Sequence, residues 1–300
     1  MQILNGLRST VRSVTYSTDG RRLISGADNG TVTVWSLKSA TQEASCTFGD
    51  QRGQAGNPIE SVCDIPHQNR VAIGQSNGQI ELWSIEEFDR GPLLISEEPP
   101  FGPISKLSIS PDHRLLAVGG WMNRAALWQL EDQFALPILI DMPTPVTDLA
   151  WSHDGQSLAM SGYDGALHLL RAHDSMHTRR QFGEGDSLIA LACSPCAPLA
   201  AVGDTKGKIV LWNLDEGAEI ATLEGHQWVI FALAFTPDGR KLISGGADRT
   251  VRLWDVEALE EMHCYQWHDR WVTSLAVSPD GMTAAAGSAD NSIVVWDLDD

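Results

Sequence analysis

The sequence predicts an all-β protein, a closed seven-bladed β-propeller with four-stranded antiparallel blades. Three observations support this prediction. Tryptophan recurs with a period of about 42 residues, and each period contains alternating apolar segments separated by turn residues. The final period stops just after its tryptophan, before a fourth segment.

The spacing of the tryptophans predicts the number of blades. The successive gaps are 48, 45, 84, 42 and 42 residues, and Leu170 lies at the midpoint of the gap of 84, where a repeat has lost its indole. Units of this length are too short to bury both faces of a sheet, so neighbours must stack into a ring. The predicted blades of this single domain, 1–300, are approximately 7–46, 55–95, 100–140, 142–182, 184–223, 226–265, and 268–300 plus 1–5.

The pattern within one repeat predicts its strands. The sixth repeat reads LEGHQWVIFALAFTPDGRKLISGGADRTVRLWD, and its segments IFALAF and TVRLW alternate with the period of two that is typical of strands. The PDG triplet and the Gly-Gly-Ala-Asp stretch supply turn residues between the strands. We therefore expect three short strands in each repeat, and a fourth, more variable strand after the tryptophan.

Composition and charge restrict the function classes. Apolar residues make up 43% of the chain and charged residues 20%, which suits a folded, soluble protein with a sizeable core. The formal net charge of −18 opposes any binding that neutralises phosphates, so nucleic acid is not an expected ligand. Five scattered cysteines do not indicate a disulfide framework. The sequence shows neither a membrane span nor a secretion signal, so we expect a cytoplasmic protein without membrane partners.

Three dipeptides resemble a known repeat. Gly225-His226 precedes the first strand of the sixth repeat, and Trp254-Asp255 and Trp296-Asp297 end the third strands of the sixth and seventh repeats. At the observed period, these pairs make the chain similar to the WD-repeat family from Gln2 to Asp297. The resemblance implies a non-enzymatic scaffold or adaptor without a cofactor, which binds protein or peptide partners. Such a propeller would be monomeric or a subunit of a larger complex.

The two ends of the chain complement one another. The last repeat lacks its fourth strand, whereas MQILNG precedes the first repeat and aligns with ATLEG, a fourth-strand segment. The resemblance implies that Gln2 to Leu4 pair with the strand of Trp296, so that the N-terminal strand completes the last blade. Without this strand, the edge would expose unpaired backbone groups. The same alignment leads us to expect a complete propeller.

The resemblance also assigns a buried hydrogen-bond network to the blades. In the sixth blade its members are His226, Ser244, Asp248 and Trp254. The seventh blade keeps His268, Asp290 and Trp296 but has Ala286 in place of the serine. We expect a structural role for these residues rather than a catalytic Ser-His-Asp triad. Blades one to five have lost members of the network and are expected to depend on apolar packing.

Loops of one face carry candidate anchors for a partner. In the family this top face is formed by the entry to each first strand and the loop before each third strand. The candidates that map to it are Trp228, Phe231, Trp271, Arg12, Trp121 and Tyr163. Large aromatic side chains are enriched among binding hot spots. The hypothesis is that the face around blades six, seven and one binds a peptide or protein loop. The alternative is that Trp228 and Trp271 only cover the junction of blades six and seven.

The opposite rim carries acidic turns after most of the tryptophans, but the fourth blade has a basic sector with Arg171, Arg179 and Arg180. Acidic turns either keep the protein soluble or form a docking rim for a basic partner.

No catalytic or metal-binding residue is predicted. Cys193 and Cys196 have redox spacing, but they fall on a core position and a turn position, which favours a structural role. His173 and His177 are four residues apart without a third ligand nearby, so no metal site is expected. The alternative function is a propeller enzyme or small-ligand binder using the central channel. The ionisable residues of the first strands are sparse for that function: Arg12, Glu60, Asp64, Lys106 and Asp148.

Overall fold

The protein consists of seven four-stranded antiparallel sheets. The structure is a computed structural model that describes residues 1–48, 56–95, 102–130, 137–171, 177–182 and 186–299. Each sheet is one blade, and the first strand of each blade contacts the first strands of both neighbours, including that of the seventh blade with the first. The sheets therefore close into a ring. The predicted fold class, a closed seven-bladed β-propeller, is confirmed.

The strands of the first four blades follow one another along the chain. Blade one has β2 (Val11–Tyr16), β3 (Arg22–Ala27), β4 (Thr31–Ser36) and β5 (Thr41–Thr47). Blade two has β6 (Ile59–Ile65), β7 (Arg70–Gln75), β8 (Ile80–Ser84) and β9 (Leu94–Ile95), with a 3₁₀ turn at Phe88–Arg90. Blade three has β10 (Ile104–Ile109), β11 (Leu115–Gly120), β12 (Arg124–Gln129) and β13 (Ile138–Asp141). Blade four has β14 (Val146–Trp151), β15 (Ser157–Gly162), β16 (Ala166–Arg171) and β17 (His177–Gln181).

The remaining blades complete the ring. Blade five has β18 (Leu188–Cys193), β19 (Leu199–Asp204), β20 (Lys208–Asn213) and β21 (Ala218–Glu224). Blade six has β22 (Ile230–Phe235), β23 (Lys241–Gly246), β24 (Val251–Asp255) and β25 (Glu260–Tyr265). Blade seven has β26 (Val272–Val277), β27 (Thr283–Ser288), β28 (Ile293–Asp297) and, from the other end of the chain, β1 (Gln2–Leu4). In the part of the chain that the structure describes, no helix is long and apolar enough to cross a membrane.

Burial follows the position of a strand in its blade. The second strands are buried almost throughout, because a neighbouring strand lies on each side and a neighbouring blade covers each face. The fourth strands β5 and β25 are mostly exposed. The core is therefore a series of apolar layers between blades rather than one central cluster.

Glycines on the second strands allow neighbouring blades to approach closely. A Cβ on Gly245 would lie 2.5 Å from Val272 of blade seven, and a Cβ on Gly287 would lie 2.6 Å from Val11 of blade one. Such distances are far shorter than any real contact between these atoms. The absence of a side chain is thus what lets a β-branched residue of the next first strand pack against the sheet.

The N-terminal strand closes the ring as predicted. Gln2 pairs with Val295 and Leu4 pairs with Ile293, in an antiparallel register. Leu4 is fully buried in the apolar layer between blades seven and one. The chain's first strand therefore contributes both backbone pairing and core packing to the last blade.

Candidate functional site

The antiparallel order of the strands defines two faces of the ring. The top face contains the loops that enter each first strand and those that join second to third strands, and the bottom face contains the other turns. On the top face, a cavity of about 790 Å³ occupies the mouth of the central channel. The second residue of every first strand lines this cavity: Arg12, Glu60, Ser105, Thr147, Ile189, Phe231 and Thr273.

Arg12 is held between two carboxylates at the channel mouth. Its Nε lies 2.7 Å from Asp28 Oδ1, and its Nη1 lies 2.8 Å from Glu60 Oε2 in blade two. Burial acts to lower the pKa of Arg12, but the two carboxylates outweigh it and the pKa lies above its ordinary value. Burial raises the pKa of Glu60, and the charge of Arg12 offsets only part of that effect. The side chain of Arg12 is partly exposed but already paired within the ring.

Trp271 and Trp228 project from the top face of blades seven and six. Trp271 is 55% exposed and Trp228 is 62% exposed. The ring of Trp271 lies 5.7 Å from that of Phe231, so it spans the junction of these blades on one side and faces solvent on the other. Both tryptophans therefore keep more than half of their surface exposed, even though Trp271 contacts the neighbouring blade.

Trp121 and Tyr163 form a second aromatic pair, on the top face of blades three and four. Their ring centroids lie 5.7 Å apart, and they are 50% and 40% exposed. Neither residue lines the channel-mouth cavity. Of the six candidate anchors, Arg12, Phe231 and Trp271 therefore line that cavity, Trp228 lies beside a smaller cavity, and Trp121 and Tyr163 form the separate pair.

Two smaller cavities adjoin the channel mouth. One of about 380 Å³ lies beside Trp228 and shares Arg249 with the larger cavity. The other, of about 480 Å³, lies between blades seven and one and shares Asp269 and Arg270. These three cavities form one concave area, called here the 6–7–1 surface. Sequence reasoning did not identify Arg249 and Arg270 as part of it, because they belong to loops without a motif.

Blade six contains the complete predicted network. His226 Nδ1 lies 2.9 Å from Asp248 Oδ2, and His226 Nε2 lies 2.7 Å from Ser244 Oγ. The indole Nε1 of Trp254 donates to the same Ser244 Oγ at 2.8 Å. Thr250, which the sequence did not indicate, donates its hydroxyl to Asp248. The pKa of Asp248 is strongly lowered: burial opposes this change, but the hydrogen bond and charge of His226 dominate.

This Ser-His-Asp arrangement cannot act as a nucleophilic triad. Ser244 is fully buried on the central part of the sheet, and its Oγ is bonded both by His226 and by Trp254. A nucleophile must be reachable by its substrate. The geometry therefore supports a structural role that ties the top loop, the second strand and the third strand together.

Blade seven has the same network without its central hydroxyl. His268 Nδ1 lies 3.1 Å from Asp290 Oδ2. His268 Nε2 and Trp296 Nε1 are buried and have no hydrogen-bond partner among the residues that the structure describes. Ala286 occupies the position of the missing serine. Burial lowers the pKa of His268, although Asp290 acts against this change.

Replacing Ala286 by serine is expected to raise the free energy of unfolding by about 1 to 3 kcal/mol, because one hydroxyl would reach two unsatisfied polar atoms. The control is Ala285→Ser, which places a hydroxyl on the other face of β27, away from Trp296. We expect this control to be destabilising. Equilibrium urea unfolding of both variants tests the prediction, and a loss of stability in Ala286→Ser would contradict it.

Blades two and four depart from the expectation of purely apolar packing. In blade two, Trp83 Nε1 donates to Glu81 Oε2 at 2.8 Å, and Gln75 Nε2 donates to the other carboxylate oxygen at 2.9 Å. Burial raises the pKa of Glu81, although both hydrogen bonds oppose it. Ile73, at the former serine position, pairs directly with Glu81 across the strands. The polar group has therefore moved from the second strand to the facing position on the third strand.

Blade four shows the same displacement. His168 pairs with Met160 across the strands, and its Nε2 lies 3.1 Å from Asp164 Oδ2. Its Nδ1 lies 2.9 Å from His177 Nε2 on the fourth strand. Burial lowers the pKa of His168. His177 therefore belongs to a strand pair, while His173 lies outside the described residues.

The remaining ionisable residues of the first strands pair between blades. Lys106 Nζ lies 3.3 Å from Asp148 Oδ1, and Asp148 also accepts a hydrogen bond from the backbone of Leu191 in the next blade. Thr18 donates its hydroxyl to Asp64. These groups join neighbouring blades rather than forming one centre.

Cys193 packs against the apolar layer between blades four and five. Burial raises the pKa of Cys193 to about 12, which disfavours the thiolate at neutral pH, and Cys193 and Cys196 are not joined by a disulfide. Across the described ranges, no three His, Cys, Asp or Glu side chains are grouped to hold a metal ion.

Comparisons with known proteins agree with the architecture. The family model described as "WD domain, G-beta repeat" matches residues 1–36, 140–169, 217–255 and 259–297. The chain is 24% identical over 243 residues to telomerase protein component 1 of Mus musculus, which covers 79% of this chain and 9% of that protein. It is 28% identical over 126 residues to target of rapamycin complex subunit LST8 of Mus musculus, covering 42% of this chain and 36% of that protein.

A third relative is B-type cell cycle switch protein ccs52B of Medicago truncatula, 24% identical over 257 residues, covering 71% of this chain and 51% of that protein. The chain thus spans at most about half the length of these relatives. Its seven four-stranded blades define the class of the protein, a seven-bladed β-propeller. The chain carries repeats that match the WD-repeat family model, and it folds as a propeller built from such repeats.

Proposed function

We propose that the protein is a non-enzymatic scaffold that binds a protein or peptide segment on the 6–7–1 surface. Trp228, Phe231 and Trp271 would provide the apolar contact, and Arg12 would orient polar groups of the partner at the channel mouth. Trp121 and Tyr163 would extend the contact across the top face. Two relatives are named as a component or subunit of an assembly, which supports a protein partner for this chain as well.

The observation that carries this proposal is the exposure of two tryptophans around a concave area. Both side chains are more than half exposed, and this exposed area becomes buried contact area only when a partner binds over it. Trp271 is positioned beforehand by its contact with Phe231, so less conformational entropy is lost there on binding. Arg12, Asp28 and Glu60 pair with one another at the channel mouth, which supports a scaffold over an enzyme that uses these groups. We further propose a cytoplasmic location, which fractionation of the source cells can test.

Combined substitution of Trp228 and Trp271 by alanine is expected to abolish capture of the natural partner while leaving the melting temperature within a few degrees. The chain, immobilised in an extract of its own cells, would be compared with this variant by quantitative mass spectrometry. Ile220→Ala is the matched control, because Ile220 is an exposed apolar residue on a fourth strand. Proteins retained by the control but lost from the tryptophan variant support the site.

Equal capture by the native chain and the tryptophan variant would contradict the proposed site. A collapse of folding in the variant would also contradict it, since the tryptophans would then be core residues. Thermal unfolding followed by circular dichroism distinguishes these two outcomes.

A further inference from the structure

A groove on the bottom face lies between blades four and five. Its volume is about 620 Å³, and it is separated from the 6–7–1 surface by the length of the strands. The turn before β15, the outer strands of blade four and the turn after β20 form its walls. Half-buried Leu169, Pro198 and Leu214 provide an apolar floor.

The register of blade four directs two arginines into this groove. Leu169 pairs with Thr178 and Leu167 pairs with Arg180, so Arg180 lies on the face of the sheet that packs against blade five. Arg171, two residues after Leu169, shares that face. The side chain of Arg179 lies on the opposite face of the sheet, where its guanidinium group donates hydrogen bonds to Asp164 and Gln181. The basic sector of the sequence is therefore divided between two faces.

Arg171 and Arg180 are exposed, and neither makes a hydrogen bond or ion pair with any residue that the structure describes. The guanidinium group of Arg180 nevertheless has a defined position against blade five. Gly217 of blade five has a φ of 64°, and a Cβ there would lie 3.3 Å from Arg180 Nη2. The guanidinium group thus packs over the backbone of the neighbouring blade while its donors remain available.

The acidic residues of the groove form no ion pair with these arginines within the described residues. Asp154 accepts hydrogen bonds from Ser152 Oγ at 2.6 Å and from the backbone of Gln156 at 3.0 Å, so it is engaged in its own turn. Asp215 is exposed on the wall formed by blade five and makes no ion pair within the described ranges. His153 Nδ1 is buried in the wall without a hydrogen-bond partner among described residues.

The basic sector of blade four differs in charge from the equivalent turns of other blades. The chain carries a net charge of −18, and acidic residues predominate in the equivalent turns of other blades. Among the described residues these include Glu86, Glu87, Glu257 and Glu260. In the groove, a carboxylate instead meets two guanidinium groups, which bind carboxylates well.

We propose that this groove docks an acidic segment of a protein partner, with carboxylates on Arg171 and Arg180 and an apolar side chain on the floor of Leu169, Pro198 and Leu214. The inference is independent of the top-face function, because it concerns other residues on the opposite face. A scaffold with both surfaces can hold two partners at once.

The test uses a fluorescein-labelled probe peptide in which a leucine is flanked on each side by two glutamates. Fluorescence anisotropy at low ionic strength measures its binding to the full chain. The double variant Arg171→Glu/Arg180→Glu is expected to bind the probe at least about tenfold more weakly. The matched control is Arg21→Glu/Arg240→Glu, the same change of charge at exposed arginines in the bottom turns of blades one and six.

Retention of binding in the control and its loss in the groove variant support the proposal. Three results overturn it: no binding of the probe to the native chain, equal weakening in both double variants, or equal binding of a probe with glutamines in place of glutamates. Circular dichroism of each variant verifies the fold. The neutral pair Arg171→Gln/Arg180→Gln, expected to weaken binding by a smaller factor, gives a second measurement if charge reversal disturbs blade four.

Discussion

Replacing Trp254 by alanine is expected to lower the free energy of unfolding by about 3 to 5 kcal/mol. Trp254 is almost fully buried in the layer between blades five and six, where it packs with Leu242 and Ile230. Truncation leaves a cavity that the closed ring cannot collapse to fill. It also removes the donor to Ser244 Oγ, which weakens the network of blade six. Equilibrium urea unfolding measures the change.

Trp228→Ala is the control for this prediction, because it removes the same side chain from an exposed position of the same blade. Its effect on stability is expected to be within about 0.5 kcal/mol. Trp254→Phe separates the two contributions, since it keeps most of the packing and removes the indole donor. Similar losses in Trp254→Ala and Trp228→Ala would contradict the assignment of Trp254 as the core tryptophan.

The repeat period made the architecture predictable from the sequence. A unit of about 42 residues cannot bury its own faces, so the number of repeats leads directly to the number of blades. The fourth blade confirms this, since it forms its sheet although Leu170 replaces the tryptophan of its third strand. The pairing of Gln2 to Leu4 with blade seven followed from the family resemblance and is confirmed.

The polar networks of blades two and four could not be predicted in the same way. Ile73 and Met160 stand at the serine position of these two repeats, which indicated that the polar contacts had been lost. Glu81 and His168 restore them from the facing strand, and only the cross-strand register shows that these positions are equivalent. The sequence did contain a signal for these networks. In both blades a titratable residue lies two positions before the tryptophan, or before the leucine that replaces it, and therefore on the same side of the strand.

The candidate surfaces were predictable in part. Exposed aromatics in loops indicated the top face, but the cavities that connect Trp228 with the channel mouth depend on loop conformations without a motif. Arg249, which lines two of them, has a φ of 68°, a left-handed conformation that side chains rarely adopt. On the bottom face, the sequence grouped Arg179 with Arg171 and Arg180, whereas the strand register separates Arg179 from the other two.

The second large effect on stability is expected from weakening the strand that closes the ring. Leu4→Ala is expected to lower the free energy of unfolding by about 2 to 4 kcal/mol, because Leu4 is fully buried between blades seven and one. Ile3→Ala is the matched control on the same strand, with a side chain that is 47% exposed, and should cost well under about 1 kcal/mol. Urea unfolding gives both values.

The same pair of variants tests whether the loss of stability is confined to the blades next to the N-terminal strand. Because β1 pairs with β28 and Leu4 packs against blade one, weakening this strand should increase hydrogen exchange in both blades. Blades three and four, on the far side of the ring, should change less at first. If Leu4→Ala and Ile3→Ala have equal effects, or if exchange increases evenly around the ring, the N-terminal strand is not the element that holds the propeller closed.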